Sequence, residues 1–208
     1  KDMVVFSFNP RGHGNSQEDI KGKPSNYWIR GLDNKEGYYY QGAYLDCVRA
    51  VDFLCSRKEV DPKRIAVEGG SQGGGLSLST AALDSRISLC APHIPFLTNW
   101  ELYFKTSHWP EMDEWIEAKE LRTWQSTLKT LSYFDTMNMA PRIECPVFMG
   151  VGLQDAICPP VTCFAVYNRV KGKKEYRVYP NAKHHVDKAH HQLVFNWMRK
   201  HFGLKLLQ

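Results

Sequence analysis

The sequence predicts an α/β fold in which helices cover both faces of a mostly parallel sheet. Short β-branched runs alternate with helix-like segments along the chain, and a loop rich in glycine, proline or aspartate follows each run. Strands that alternate with helices in this order pair in parallel and are buried on both faces. We expect residues 1–208 to form one domain. Because Lys1 opens directly onto a strand-like run, we also expect them to be the C-terminal part of a longer chain.

Each element is predicted from local pattern and from the residues that end it. The predicted strands are "MVVFSFNP" (Met3 to Pro10), "IAVEGG", "RISLCAPHIP" from about Ile87, "CPVFMGVG" and "KEYRVYP". The predicted helices are Tyr38 to Arg57, "QGGGLSLSTAAL", "PPVTCFAVYNRV" and "DKAHHQLVFNWMRKHF". Residues 11–37 are predicted as a long loop. Residues 97–140, which are rich in tryptophan and charge, are predicted as a helical insertion over the sheet edge.

Composition and charge exclude several classes of protein. The net charge is +5, but no basic stripe with interleaved aromatic residues is visible, so nucleic-acid binding is not expected. The sequence has no apolar run of about 18 residues, so no membrane span is expected. The six cysteines form no C-x-x-C pair and are predicted to be reduced thiols. The compartment stays open between cytoplasm and periplasm or secretion.

One short stretch carries the chemistry. "EGGSQGGG" places five glycines around Ser71, between a predicted strand and a predicted helix. This is G-x-S-x-G in the strand–turn–helix setting of a nucleophile elbow, the signature of the α/β-hydrolase fold. The tight turn would lift the Ser71 hydroxyl above the sheet. It would also place the N–H of Gln72 at a helix N-terminus, where it can stabilise an oxyanion.

A serine nucleophile needs a base and an acid that orients the base, and this fold supplies them in the order Ser, Asp or Glu, His. Asp155 and His184 each follow a predicted strand, so both are expected at the carboxyl end of the sheet. The alternative for Asp155 is a helix cap. His185 is a second candidate for the base, but we favour His184 because it lies nearer the strand.

Metal and cofactor sites are not expected. The segment "HHVDKAHH" contains four histidines, but it lacks H-E-x-x-H spacing and a cysteine partner. The chain has no nucleotide-binding glycine motif, so no cofactor is predicted. In "RGHG", Arg11 is expected to support neighbouring loops rather than to bind substrate.

Longer stretches carry a resemblance to a known family. "DPKRIAVEGGSQGGGLSLSTAALDSRI", "IPFL", "LSYFDTMNMAPRIECPV" and "VGLQDAICPPVTCFAVYNRVKGKKEYRVYPNAKH" resemble the acetyl xylan esterase / cephalosporin C deacetylase group, carbohydrate esterase family seven. The resemblance implies that Ser71 is the nucleophile, Asp155 the orienting acid and His184 the base. It also implies that Gln72 donates one oxyanion N–H, and that Phe96 and Ile157 line a small acyl pocket.

The resemblance implies further properties beyond these residues. Family members form ring-like hexamers, so a homo-oligomer acting on small acetylated carbohydrates is expected. Their second oxyanion N–H comes from a tyrosine loop that would lie upstream of Lys1, together with further strands. Two positions depart from the family pattern: His13 stands where glutamine is usual, and His185 stands where an acidic residue is usual.

The predicted function is that of a serine carboxylesterase that removes acetyl groups through an acetyl-enzyme. Two alternatives stay open: a serine peptidase of the prolyl-oligopeptidase type, and a non-catalytic hydrolase-like module.

Overall fold

The computed structural model of the protein describes residues 2–20 and 26–207. Within these residues four strands form one sheet in the order β1-β2-β3-β4, and every neighbouring pair is parallel. The strands are β1 (Ile65–Gly70), β2 (Ile87–His93), β3 (Val147–Gly152) and β4 (Lys174–Tyr179). The prediction of an α/β fold built on a parallel sheet is confirmed.

Helices connect the strands and extend the carboxyl end of the sheet. In chain order they are α1 (Tyr39–Cys55), α2 (Gln72–Leu83), α3 (Trp100–Thr106), α4 (Pro110–Glu117), α5 (Trp124–Ser132), α6 (Thr136–Met139), α7 (Pro160–Arg169) and α8 (Lys188–His201). Short 3₁₀ turns span Gly14–Asp19, Tyr27–Ile29 and Ala140–Arg142. Helices α3 to α6 lie between β2 and β3, within the segment where the sequence predicts a helical insertion. Among the described residues, no helix combines the length and the apolar character that crossing a bilayer requires.

Apolar layers bury the sheet on both faces, as the sequence predicts. On one face, Leu78 of α2 and Val166 of α7 pack in a buried cluster that includes Val147 of β3. On the other face, Val194 of α8 packs in a cluster with Ala91 of β2. A third cluster, rich in aromatic residues, joins the segment around α1 to helices α3, α4 and α5. This third cluster builds the walls of the site described below.

The predicted strand Met3 to Pro10 is wrong, because residues 2–10 have no regular secondary structure. A strand needs a neighbour for its backbone hydrogen bonds. Here a groove of about 840 Å³ is lined on one side by residues 2–10 and on the other by residues 65–68 of β1. Several apolar side chains of the segment are exposed: Val4 by 56%, Val5 by 78%, Phe6 by 41% and Phe8 by 37%.

The Arg11 side chain fixes the start of the loop at residues 11–37. Its Nε and Nη2 donate to the two carboxylate oxygens of Asp46 in α1, at 2.8 and 2.7 Å, and its backbone N–H donates to the same group. This bidentate contact gives Arg11 the supporting role that the sequence predicts. Residues 21–25 of the predicted loop lie outside the described residues.

Candidate active site

Ser71 occupies a strained turn between β1 and α2. Its φ is 53° and its ψ is −118°, a conformation that costs a non-glycine residue about 1–3 kcal/mol. Surrounding backbone holds the turn: the Ser71 N–H donates to the His93 carbonyl at 3.0 Å, and the Ser71 carbonyl accepts from the N–H of Phe96 at 2.9 Å. The turn therefore projects the hydroxyl from the carboxyl end of the sheet, as a nucleophile elbow requires.

Asp155 and His184 reach the same place from two other strand ends. Asp155 lies three residues beyond the end of β3, and His184 lies five residues beyond the end of β4. Asp155 is only 3% exposed, and its Oδ1 accepts from the N–H groups of Ile157 and Cys158 at 2.8 and 2.9 Å. These two hydrogen bonds fix the carboxylate, so its direction is set by the local turn.

The three side chains form one hydrogen-bonded chain. Nδ1 of His184 lies 2.9 Å from Oδ2 of Asp155 and 3.1 Å from its Oδ1, while Nε2 of His184 lies 2.9 Å from Oγ of Ser71. With the Nδ1–H donating to the carboxylate, Nε2 is the acceptor for the serine hydroxyl. The structure brings His184 to the nucleophile and leaves His185 exposed. This geometry allows the imidazole to take a proton from the hydroxyl.

Gln72 opens helix α2, so its N–H belongs to the first turn, where donors have no partner within the helix. The partial positive charge at a helix N-terminus favours an anion at this position. The side chain of Gln72 is held in place by a neighbour, because its Nε2 donates to the hydroxyl of Tyr40 at 3.0 Å. Tyr40 is only 1% exposed, and burial raises the pKa of its phenol above the usual range. Its hydroxyl therefore stays neutral and fixes the amide.

A small cavity of about 180 Å³ opens beside the serine. Both residues predicted from the family resemblance to line an acyl pocket, Phe96 and Ile157, line it. Its wall is mostly aromatic, and the lining residues are His13, Tyr27, Trp28, Tyr40, Ser71, Gln72, Phe96, Trp109 and Ile157. Pockets for drug-sized ligands measure about 300–1,000 Å³, so this one suits a group of a few atoms.

Sequence reasoning missed most of the aromatic wall. Trp28 and Trp109 pack edge to face with ring centroids 4.6 Å apart, and the rings of Trp109 and Phe96 stack at 5.9 Å. Trp28 belongs to the long loop, and Trp109 directly precedes α4. No local sequence pattern connects either residue to Ser71. The only sequence signal was the abundance of aromatic residues in both segments.

Cys158 is a further buried group at the site. Its thiol, with Asp155 and His184, offers ligand atoms within 4.8 Å of one another. Burial, and then the neighbouring carboxylate, raise the pKa of the Cys158 thiol to about 12. A protonated thiol is a poor metal ligand, and the other two groups are already bonded to each other. The arrangement suits proton transfer better than metal binding.

Comparison with known proteins identifies the family of the chain. The family model for acetyl xylan esterase (AXE1) matches residues 1–201. The acetyl esterase Axe7A of Xylanibacter ruminicola is 35% identical over 204 residues, which cover 96% of this chain and 46% of that protein.

Two solved structures share both the fold and a clear sequence similarity. The acetyl xylan esterase from Paenibacillus sp. R4 is 44% identical with a TM-score of 0.78, over 82% of this chain and 55% of that one. Acetyl xylan esterase 1 from Thermoanaerobacterium sp. JW/SL YS485 is 32% identical with a TM-score of 0.82, over 92% of this chain and 64% of that one. The chain thus spans roughly half to two thirds of the length of these relatives, and by the family model and the identities together it belongs to the acetyl xylan esterase family.

Proposed function

We propose that the protein is a serine carboxylesterase that removes acetyl groups from acetylated xylo-oligosaccharides or similar small acetyl esters. The observation that carries the proposal is the chain of hydrogen bonds from Ser71 through His184 to Asp155, each about 3 Å long. Family membership supports the same chemistry, because the relatives named above are acetyl esterases.

The proposed reaction uses three side chains, one backbone N–H group and water. His184 Nε2 takes the proton from Ser71 Oγ as the oxygen attacks the acetyl carbonyl. The tetrahedral oxyanion accepts a hydrogen bond from the Gln72 N–H, while Asp155 stabilises the imidazolium. The imidazolium then protonates the sugar alcohol, which leaves, and an acetyl-serine remains. Water, deprotonated by the same imidazole, attacks the acetyl-serine, releases acetate and restores the serine.

We propose that the 180 Å³ cavity holds the acyl group and limits it to about two or three carbons. Phe96 and Ile157 face this space together with Trp109. The aromatic walls bury a methyl group without offering it a polar partner. The leaving sugar would face the solvent side, where the cavity opens.

The test compares the full-length protein with its Ser71→Ala variant. Wild type is expected to hydrolyse p-nitrophenyl acetate and acetylated xylo-oligosaccharides, and the variant to lose about 10⁴–10⁶ in kcat. A fluorophosphonate probe should label wild type only. Hydrolysis of dipeptide amides without acetyl ester turnover would favour the peptidase alternative, and absence of labelling would favour the non-catalytic module.

We also propose, from family resemblance, that the protein acts as a homo-oligomer. A closed ring of subunits would keep polymeric xylan from the site and admit short oligosaccharides. Light scattering after size-exclusion chromatography measures the mass directly. A monomer that deacetylates polymeric xylan as fast as short oligosaccharides would contradict this proposal.

A further inference from the structure

A second cluster of polar side chains lies on the opposite face of the sheet from α2, beneath the nucleophile elbow. It consists of Glu68 on β1, His93 at the end of β2 and His191 in the first turn of α8. Their ligand atoms all lie within 4.8 Å of one another. The spacing of the histidines in "HHVDKAHH" does not by itself match a metal-binding motif. The fold places Glu68 and His93 beside one of these histidines, His191.

Strand register brings the first two residues together. Gly70 of β1 pairs with His93 of β2, and Glu68 stands two residues earlier on β1, so its side chain points to the same face as position 70. Gly70 leaves room for the imidazole: a Cβ atom there would lie 2.6 Å from Nε2 of His93. His93 is thereby seated over the edge strand, next to the carboxylate of Glu68.

Helix α8 supplies the third group. Nδ1 of His191 lies 3.2 Å from Oε1 of Glu68, and the rings of His191 and His93 are 5.0 Å apart and nearly perpendicular. The side chains of His191 and Glu68 are 53% and 35% exposed, so both can adjust and a cation can enter from solvent. His93 is only 7% exposed, and its Nδ1 has no hydrogen-bond partner among the described residues.

We propose that Glu68, His93 and His191 bind one divalent cation of the Zn²⁺ class. Two imidazoles and one carboxylate form a three-ligand set that zinc accepts, with water as the fourth ligand. Tetrahedral zinc with bonds of about 2.0–2.2 Å sets its ligand atoms about 3.3 Å apart. The ligand atoms now lie within 4.8 Å of one another, and the two exposed side chains have room to rotate towards the cation.

The neighbouring His190 is not a member of this group of ligand atoms. Its Nδ1 lies 2.9 Å from the Tyr179 hydroxyl, and its ring packs edge to face on His93 at 5.5 Å. The cation would tie the first turn of α8 to β1 and β2, behind the loop that carries His184.

The test is Zn²⁺ binding to the full-length protein after removal of metal with EDTA. Isothermal titration calorimetry should show one Zn²⁺ per chain, and His191→Gln and Glu68→Gln should each weaken it by at least about tenfold. Both side chains are partly exposed, so both variants should fold. The matched control is His201→Gln, an exposed histidine near the end of the same helix, which should bind as wild type does.

His184→Gln separates this site from the active site, because it removes a ligand of the Asp155–Cys158–His184 group only. It should leave Zn²⁺ binding unchanged. Co²⁺ should give visible d–d bands without a thiolate charge-transfer band, since the proposed site contains no cysteine. The proposal is overturned if both the Glu68 and His191 variants bind like wild type, if His184→Gln abolishes binding, or if the thiolate band appears.

Discussion

Gly69 lies so close to Gly73 that a Cβ atom on Gly69 would stand 2.4 Å from the Gly73 carbonyl oxygen. The obstacle is backbone at the first turn of α2, so it cannot rotate away as a side chain could. The converse does not hold, because a Cβ atom on Gly73 would meet nothing within 4 Å. Two glycines that flank the same serine are therefore predicted to respond differently to the same substitution.

Gly69→Ala should push α2 away from β1 and shift Ser71 relative to His184. Overpacking of this kind costs about 1–3 kcal/mol, and a displacement near 1 Å costs about 10² in rate. Gly73→Ala should keep activity and gain up to about 1 kcal/mol of helix stability. Thermal unfolding and p-nitrophenyl acetate kinetics of the two variants check this, and equal behaviour would refute the steric argument.

Asp155→Asn should separate catalysis from folding. The N–H groups of Ile157 and Cys158 both donate to Oδ1, and an asparagine oxygen can keep both bonds. The new amide nitrogen would take the place of Oδ2, donate to His184 Nδ1 and so impose the wrong tautomer. We expect kcat to fall about 10⁴-fold with little change in melting temperature.

Asp155→Ala is the companion variant, because it removes the acceptor for both backbone N–H groups. Its melting temperature should fall below that of Asp155→Asn while its activity is similarly low. If the asparagine variant kept near-wild-type kcat, Asp155 would not orient the base.

Ile157→Ala should widen the proposed acyl pocket at little cost in stability, because Ile157 is 49% exposed. Phe96 is a poorer choice, since truncating a buried phenylalanine costs about 3–5 kcal/mol. One methylene group in an apolar pocket changes the kcat/KM ratio of two substrates by about 10–200-fold. The turnover of butyrate esters relative to acetate esters should therefore rise about tenfold in this variant. Leu153→Ala, 43% exposed and outside the cavity, is the matched control. The prediction fails if both variants show the same acyl preference.

Stability should fall in acid because two histidines are buried in neutral form. Burial first, and neighbouring imidazoles second, lower the pKa of His93 and of His190 from 6.5 to about 4. The unfolded chain therefore takes up these protons before the folded protein does. Their stabilising effect is complete above about pH 6.5 and is lost as the pH falls towards 4.

The slope should reach about 1.4 kcal/mol per pH unit for each proton. Melting curves between pH 7 and pH 4.5, recorded in EDTA to remove any bound cation, check this. His93→Gln should flatten the dependence and His201→Gln should not. A flat profile for wild type over this range would contradict the buried neutral state.

Local pattern was sufficient for most elements that hold the candidate triad. "IAVEGGSQGGG" contains its own strand, turn and helix signals, and the loops with Asp155 and His184 directly follow β-branched runs. Since the carboxyl ends of parallel strands share one edge, their meeting followed from topology. The same reasoning failed at Met3 to Pro10, where a strand-like composition has no partner strand among the described residues.

Features made by long-range contacts were not accessible from the sequence. Glu68, His93 and His191 stand far apart along the chain and meet only through strand register and the docking of α8. Trp109 reaches the cavity beside Ser71 through the packing of a helical segment whose path no periodicity fixes. Both cases depend on which surfaces meet, and one segment alone does not encode that.

The groove beside β1 has a practical consequence for anyone who produces these residues alone. β1 has β2 as its only neighbour in the described sheet, so the backbone donors and acceptors of its other edge face the groove. Exposed valine and phenylalanine side chains of residues 2–10 line the same groove. Such an edge recruits whatever extended polypeptide is at hand, including another molecule of the same kind. Precipitation of a preparation of residues 1–208 would then reflect pairing through the exposed edge of β1 rather than a defect in the candidate active site.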